Sequence, residues 1–251
     1  MSKTYIIGDI HGAHKALEQV LDRSPFDPDK DRLITLGDYA DGWHYVYEAV
    51  EMLLAIPNRI SLLGNHDDWF VNWLQKGIHP VSWLQGGEGT AMSYIRNADR
   101  DIEFTPRMGG FFTNLTACDI PESHKEFWMS LKPYHVDGNR CFVHGGFDRN
   151  REIADQDIVE LIWNRDLWNK ALSCKDWKVK LKNQDNFDEI FIGHTTTMTW
   201  RTDQPMEGGG VWNLDTGAGF WGRLTIMDLE TKEYWQSDRV QDELYPGERG
   251  R

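Results

Sequence analysis

The chain has 251 residues, 40% of them hydrophobic and 27% charged, with a net charge of −13. That length serves one large domain or two small ones and buries enough surface to need no disulfide staples. The composition excludes disorder, collagen and coiled coil as descriptions of the whole, and the acidity argues against stable binding to a nucleic-acid backbone.

The first third alternates strand and helix. Residues 4–8, 32–36 and 59–63 are short apolar runs. Between them, residues 13–23 carry Ala16, Leu17, Val20 and Leu21 at helical spacing, and residues 43–56 carry Val46, Val50, Leu53 and Leu54. Three runs with two intervening helices make a βαβαβ unit, hence a parallel sheet covered on both faces. From Asp67 to Lys132 the chain turns Trp-rich and strand-poor. Helical patches around 69–75, 81–84 and 123–131 suggest a helical insert or lid over 68–132. Trp69, Trp73, Trp83 and Trp128 are expected in a local core rather than a substrate groove. Residues 134–144 form a hairpin turning at Asp137-Gly138-Asn139, and 155–172 a helix. Residues 187–192, 210–214, 223–229 and 233–236 are strands, Gly208-Gly209-Gly210 a flexible connection, and 237–251 a polar, peripheral tail. The expected fold is a single α/β domain over 1–251, a two-sheet sandwich flanked by helices.

The longest aliphatic stretch, 52–56, is too short to span a membrane. Lys3 is followed at once by strand-like Tyr5-Ile6-Ile7, with no signal-peptide core. Cys118, Cys141 and Cys174 are an odd number without metal-knuckle spacing, as expected of reduced thiols in a cytoplasmic protein.

Chemistry gathers where the apolar runs end. Gly8-Asp9-Ile10-His11-Gly12 follows the first, Gly37-Asp38-Tyr39-Ala40-Asp41-Gly42 the second and Gly64-Asn65-His66-Asp67 the third. His144-Gly145-Gly146 and Gly193-His194-Thr195 follow two later ones. In an α/β sheet the carboxyl ends of strands face the ligand crevice, and a core would not choose Asp and His at five such ends. Carboxylates, imidazoles and one amide, without thiolate, suit two divalent ions, manganese first with iron or zinc as alternatives. Two ions close together share a carboxylate. Asp38 is the natural bridge, with Asp9 and His11 completing one ion and Asn65, His144 and His194 the other. Water activated between two cations is a nucleophile at neutral pH.

In this order the five strings resemble the PPP-type metallophosphoesterases. Leu214-Asp215-Thr216-Gly217-Ala218 and Leu224-Thr225 resemble the end of that family's bacterial and phage serine/threonine phosphatase branch. The resemblance covers about residues 5–229 and is loose over 68–132. It implies a calcineurin-like α/β/β/α sandwich, the ligand roles just given, His66 as general acid for the leaving oxygen and Asp41 as the group orienting it. One departure stands out: the family commonly has an arginine clamping phosphate where this chain has Gly42. Arg165 in Trp163-Asn164-Arg165 is the leading substitute, with Asn65 as a second phosphate-facing group. His44, His14, Arg201 or a third ion are further candidates. Gly86-Gly87-Glu88-Gly89 lacks the Lys-Ser/Thr of a nucleotide-binding phosphate loop.

The expectation is a phosphoserine/phosphothreonine protein phosphatase acting on a phosphoprotein or small phosphoester. The alternatives are a hydrolase of diadenosine polyphosphates or other nucleotides, and an inactive metal-binding adaptor.

Overall fold

Side chains that alternate between two faces decide the layers. The computed structural model describes residues 2–77, 83, 85–108, 110–173 and 187–250. The first sheet starts with β1 (Thr4–Ile7), α1 (His14–Arg23), β2 (Arg32–Thr35), α2 (Val46–Leu54) and β3 (Arg59–Ser61). The insert holds α3 (Asn65–Lys76), α4 (Gly87–Arg96), β4 (Phe104–Arg107), β5 (Gly110–Thr113) and α5 (Glu122–Met129). There follow β6 (Tyr134–Asp137), β7 (Arg140–Val143), α6 (Ile158–Trp163), α7 (Asp166–Ser173), β8 (Glu189–Ile192), β9 (Met206–Gly208), β10 (Val211–Asn213), β11 (Thr225–Asp228) and β12 (Tyr234–Gln236).

Two five-stranded sheets result, in the orders β12-β11-β1-β2-β3 and β6-β7-β8-β10-β9. Each has three parallel strands, β1-β2-β3 in one and β7-β8-β10 in the other, with antiparallel strands completing it. Ile6, Ile34 and Met227 of the first sheet and Phe142 and Phe191 of the second form the buried layer between them. The opposite faces of the same strands, Tyr5, Ile7 and Leu33, pack with Ala16, Leu17 and Val50 of α1 and α2. On the other side Cys141, Val143, Ile190 and Ile192 pack with Leu161, Leu167 and Trp168 of α6 and α7. Each fully buried aliphatic or aromatic side chain is worth roughly 1.5–3 kcal/mol. The layers are helix, sheet, sheet, helix, as expected.

Four local expectations are corrected. The insert is not purely helical: β4 and β5 form a hairpin within it. Its second helix, α4, starts at the glycine cluster rather than over 81–84, of which only Trp83 lies within the described residues. The glycines allow close approach, since a Cβ on Gly89 would lie 2.2 Å from the Gly42 carbonyl oxygen. The helix expected over 155–172 breaks in two at Asn164, which is extended and whose Oδ1 accepts the Leu167 amide at 3.0 Å, starting α7 as a cap does. Gly209 and Gly210, with φ of 57° and 85°, make the tight turn between paired β9 and β10 rather than a loose link.

The tail is not peripheral. Val240 and Tyr245 are fully buried. The Tyr245 ring stacks on Trp43 at 4.8 Å and on Tyr45 at 5.1 Å, and its hydroxyl accepts the Lys15 amide at 2.9 Å. Tyr245→Ala is expected to cost about 3–5 kcal/mol, the usual result of emptying a large aromatic site. An unchanged midpoint in urea unfolding would show the tail to be dispensable for the fold. Cys118 lies at the surface and Cys141 inside β7, so no disulfide joins them; Cys174 is outside the described residues.

Candidate metal centre and acid dyad

The carboxyl ends of β1, β2, β3, β7 and β8 converge. Asp9, His11, Asp38, Asn65, His66, His144 and His194, which follow those strands, are all buried. His11, Asp38, Asp41 and His194 have φ between 49° and 66°. Left-handed backbone at a non-glycine residue is uncommon and costs about 1 kcal/mol or more, so four instances at one place mark a constrained site.

Two groups of side chains could each hold an ion: Asp9, His11 and Asp38, and Asp38, His144 and His194, with the ligating atoms of each group within 4.8 Å of one another. Asp38 belongs to both. Asn65 joins the second group, its Oδ1 3.1 Å from His144 Nε2. Backbone carbonyls set the ring orientations. His11 Nδ1–H donates to Ala40 O at 2.9 Å and His144 Nδ1–H to Leu36 O at 2.8 Å. Each ring then turns Nε2 toward Asp38 Oδ2, at 3.5 and 3.4 Å. In neutral rings with Nδ1 protonated, those Nε2 atoms present lone pairs to an anionic oxygen. Asp38 Oδ2 is itself buried without a hydrogen-bond partner. Lone pairs from three directions aimed at one point fit a divalent cation, and the supporting carbonyls are what metal-binding histidines ordinarily have.

Burial and then Asp215 push the Asp9 carboxyl well above its ordinary range, and a cation beside it would restore its charge. Burial opposes charge on Asp38 and His144 as well, but their mutual attraction wins. Without a cation, Asp38 is held well below the carboxylate range and His144 is raised to about 9, so its Nε2 carries a proton toward Asp38 that a metal ion would have to displace before the lone pair is free.

Glycines make room for these carboxylates. A Cβ on Gly64 would stand 2.1 Å from Asp38 Oδ1, and one on Gly193 2.0 Å from Asp9 Oδ1. Gly193→Ala is therefore expected to displace Asp9 and weaken Mn²⁺ binding about 10–100-fold, as loss of ligand support does. Calorimetric titration checks this, and wild-type affinity in the variant would mean that Asp9 is not a ligand.

Beside these candidate ligands, His66 Nδ1–H donates to Asp41 Oδ2 at 2.7 Å, both residues fully buried. Asp41 Oδ1 accepts from Trp83 Nε1–H at 2.9 Å and from the Thr90 hydroxyl at 2.8 Å, so the insert holds the carboxylate in place. The His66 amide donates to Asp38 Oδ1 at 3.0 Å, tying the His66–Asp41 pair to the side chain common to both groups. Asp67 accepts the amides of Asp38, Tyr39, Ala40 and Gly64 at 2.7, 2.8, 3.0 and 2.9 Å, clamping the β2 loop to the start of α3. Burial and neighbouring Asp38 raise it to about 7. Asp67 stood in the third string without an assigned role, and Thr90 and Trp83 had no sequence signal pointing to Asp41. The four tryptophans singled out earlier do lie in a core, with Trp83 serving both purposes.

The substitutes for the missing arginine are scattered. Gly42 has φ 98°, so an arginine there would be strained. His44 borders a cleft of about 820 Å³ together with Gly42, Glu88, Phe220 and Arg249. His14 does not face it; its Nδ1 accepts from the Tyr245 hydroxyl at 2.9 Å. Arg165 is exposed between α6 and α7, two residues past Trp163, whose ring lies 5.5 Å from that of His194. Arg201 lines a different pocket. Among the described residues no third His/Cys/Asp/Glu grouping stands ready for a third ion.

Residues 2–198 match the calcineurin-like phosphoesterases, and the chain belongs to that family; at that level it is a phosphoester hydrolase. Its similarity within the family spreads over different named activities. A symmetrical bis(5'-nucleosyl)-tetraphosphatase of Pseudomonas fluorescens is 22% identical, the match covering 92% of each chain. Serine/threonine-protein phosphatase 2 of Salmonella typhimurium is 24% identical over 90% of this chain and 92% of its own. The solved structure of a cold-active protein-tyrosine phosphatase from Shewanella shares the fold, with a TM-score of 0.57 and 12% identity over 96% of this chain and 81% of its own. The resemblance to the serine/threonine branch is thus weak, and several of the similar curated proteins are tetraphosphatases. No helix among the described residues is long and apolar enough to cross a membrane.

Proposed function

We propose that the chain is a metal-dependent phosphomonoesterase whose substrate has a poor, alkoxide leaving group, as in phosphoserine or phosphothreonine. The buried His66–Asp41 pair carries this reading. An alkoxide must take up a proton as the P–O bond breaks, and an imidazole held by a carboxylate keeps one available near neutral pH. His66 Nδ1 is committed to Asp41, which leaves Nε2 as the atom that delivers the proton. Asp9, His11 and Asp38 would hold one divalent ion, and Asp38, Asn65, His144 and His194 the other. When bound, the pair, manganese first among the choices, supplies charge for the phosphate oxygens and lowers the pKa of water. Arg165 and Asn65 orient the phosphate, and Asp67 keeps the Asp38 loop rigid.

Symmetrical cleavage of dinucleoside tetraphosphates is the second reading, favoured by relatives matched over nine-tenths of both chains. The leaving group there is a nucleoside diphosphate, acidic enough to need no proton. Mn²⁺-loaded protein given a phosphothreonine peptide and diadenosine tetraphosphate in parallel decides between them. A kcat/KM at least about tenfold higher on the peptide, 1.4 kcal/mol of preference, is expected. The reverse preference transfers the function to the second reading. No turnover of either, nor of an aryl phosphate with several metals, would leave a metal-binding adaptor.

A further inference from the structure

A second pocket, of about 330 Å³, takes no part in the chemistry above. It is lined by Met198, Arg201, Thr202, Asp203, Trp221 and Arg239. Its charge runs against that of the chain. Arg223 Nε donates to Asp203 Oδ2 at 3.2 Å and Arg239 Nε stands 3.5 Å from the same oxygen, so one carboxylate serves two guanidinium groups. Arg201 adds a third and has no ion-pair partner among the described residues. Two further acids stand near Arg239: Glu243, 3.3 Å from its backbone amide, and Asp238, whose carboxylate is paired with Arg23 at 2.9 Å. Positive charge is therefore in excess here, on a chain whose net charge is −13.

Two further observations suggest a ligand. Trp221 is 57% exposed, an indole offered to solvent beside those guanidinium groups. Arg201 closes the short turn Thr197–Trp200 in a left-handed conformation with φ 61°, a strained placement for a side chain with a Cβ. Both walls grow from segments of the candidate centre. The turn begins three residues after His194, and its Thr197 amide donates to Asp215 O at 2.8 Å. Trp221 lies two residues past Gly219, where a Cβ would be 2.5 Å from His11 Cδ2.

We infer that this pocket binds a nucleoside phosphate, its base against Trp221 and its phosphate between Arg201 and Arg239. Stacking on an aromatic ring is worth about 1–3 kcal/mol per base, and guanidinium forks match phosphate oxygens. The volume is that of a small-molecule site. A phosphopeptide would satisfy the guanidinium groups but has no general need of the indole, so the pair of features favours a nucleotide. The inference goes beyond the proposed function and does not depend on which ester is cleaved. In a dinucleoside substrate the pocket would take the arm remote from the reacting phosphorus.

The test is calorimetric binding of ADP to the full Mn²⁺-loaded chain, wild type against Trp221→Ala and Arg201→Ala/Arg239→Ala. Inhibition of aryl phosphate hydrolysis by inorganic phosphate serves as the reading of the centre itself. Each variant is expected to bind ADP at least about tenfold more weakly, while phosphate inhibition and the aryl phosphate KM stay within about twofold. ADP affinity unchanged by either variant, or no ADP binding by wild type at millimolar concentration, overturns the inference. So does an equal weakening of phosphate inhibition, which would make the pocket part of the centre. Wild-type protein inactive on every ester would instead sink the proposed function, with the ADP comparison still deciding the pocket.

Discussion

His66→Asn is expected to lower turnover of an alkyl phosphomonoester by about 10²–10⁴ while metal content stays at the wild-type level. The backbone amide that reaches Asp38 Oδ1 survives the change, so the ligand cluster keeps its support. An asparagine amide can still bond Asp41 but has no proton to release near neutral pH. The loss should therefore depend on the leaving group. With p-nitrophenyl phosphate, whose phenolate leaves without help, the same variant should lose far less. Single-turnover rates on both substrates, with metal measured by atomic emission on the same samples, check this. An equal loss on both would make His66 a positioning residue rather than the proton donor. The leaving-group contrast also bears on the second reading, because a tetraphosphatase reaction would be nearly indifferent to the substitution.

Asp38→Asn should cost more than any supporting contact, for which about 10–100-fold is usual, because it changes the one side chain common to both ligand groups. Asp38 Oδ2 faces the Nε2 atoms of His11 and His144. An amide there offers a neutral oxygen or an NH₂ group in place of the shared anionic oxygen. The expected result is loss of bound Mn²⁺ on gel filtration together with activity. The rise in melting temperature that saturating Mn²⁺ gives the wild type should also vanish, since a ligand at 100 times its Kd stabilises by about 2.7 kcal/mol. A variant that retains two ions per chain and the full thermal shift would remove Asp38 from the bridging position. Circular dichroism distinguishes metal loss from unfolding, since β2 itself ends at Thr35.

Much of the site could be read before any coordinates. Asp9, Asp38, Asn65, His144 and His194 each sit beside a glycine directly after an apolar run, and that pattern is local. The chain could not be read where partners are far apart. Thr90 and Trp83 reach Asp41 across 49 and 42 positions. Neither has a neighbourhood unlike that of an ordinary helix or loop residue. The glycines that open α4 gave no helix signal because glycine weakens helices in isolation; the close approach of Gly89 to the Gly42 carbonyl is what calls for one there. Tyr245 was misplaced because a polar tail with only Val240, Leu244 and Tyr245 as hydrophobic residues has no periodicity to announce burial.

By itself, then, the sequence determined the layers, through strand and helix periodicities, and pointed to the groups that could hold metal, through residue types placed at strand ends where turns are tight. Tertiary structure alone decided which insert residues grip Asp41, that the last turn of chain locks under Trp43 and Tyr45, and that Arg201, Arg239 and Trp221 share a pocket. Periodicity is a property of neighbours along the chain, whereas a hydrogen bond or a shared cavity joins residues whose separation no local pattern encodes.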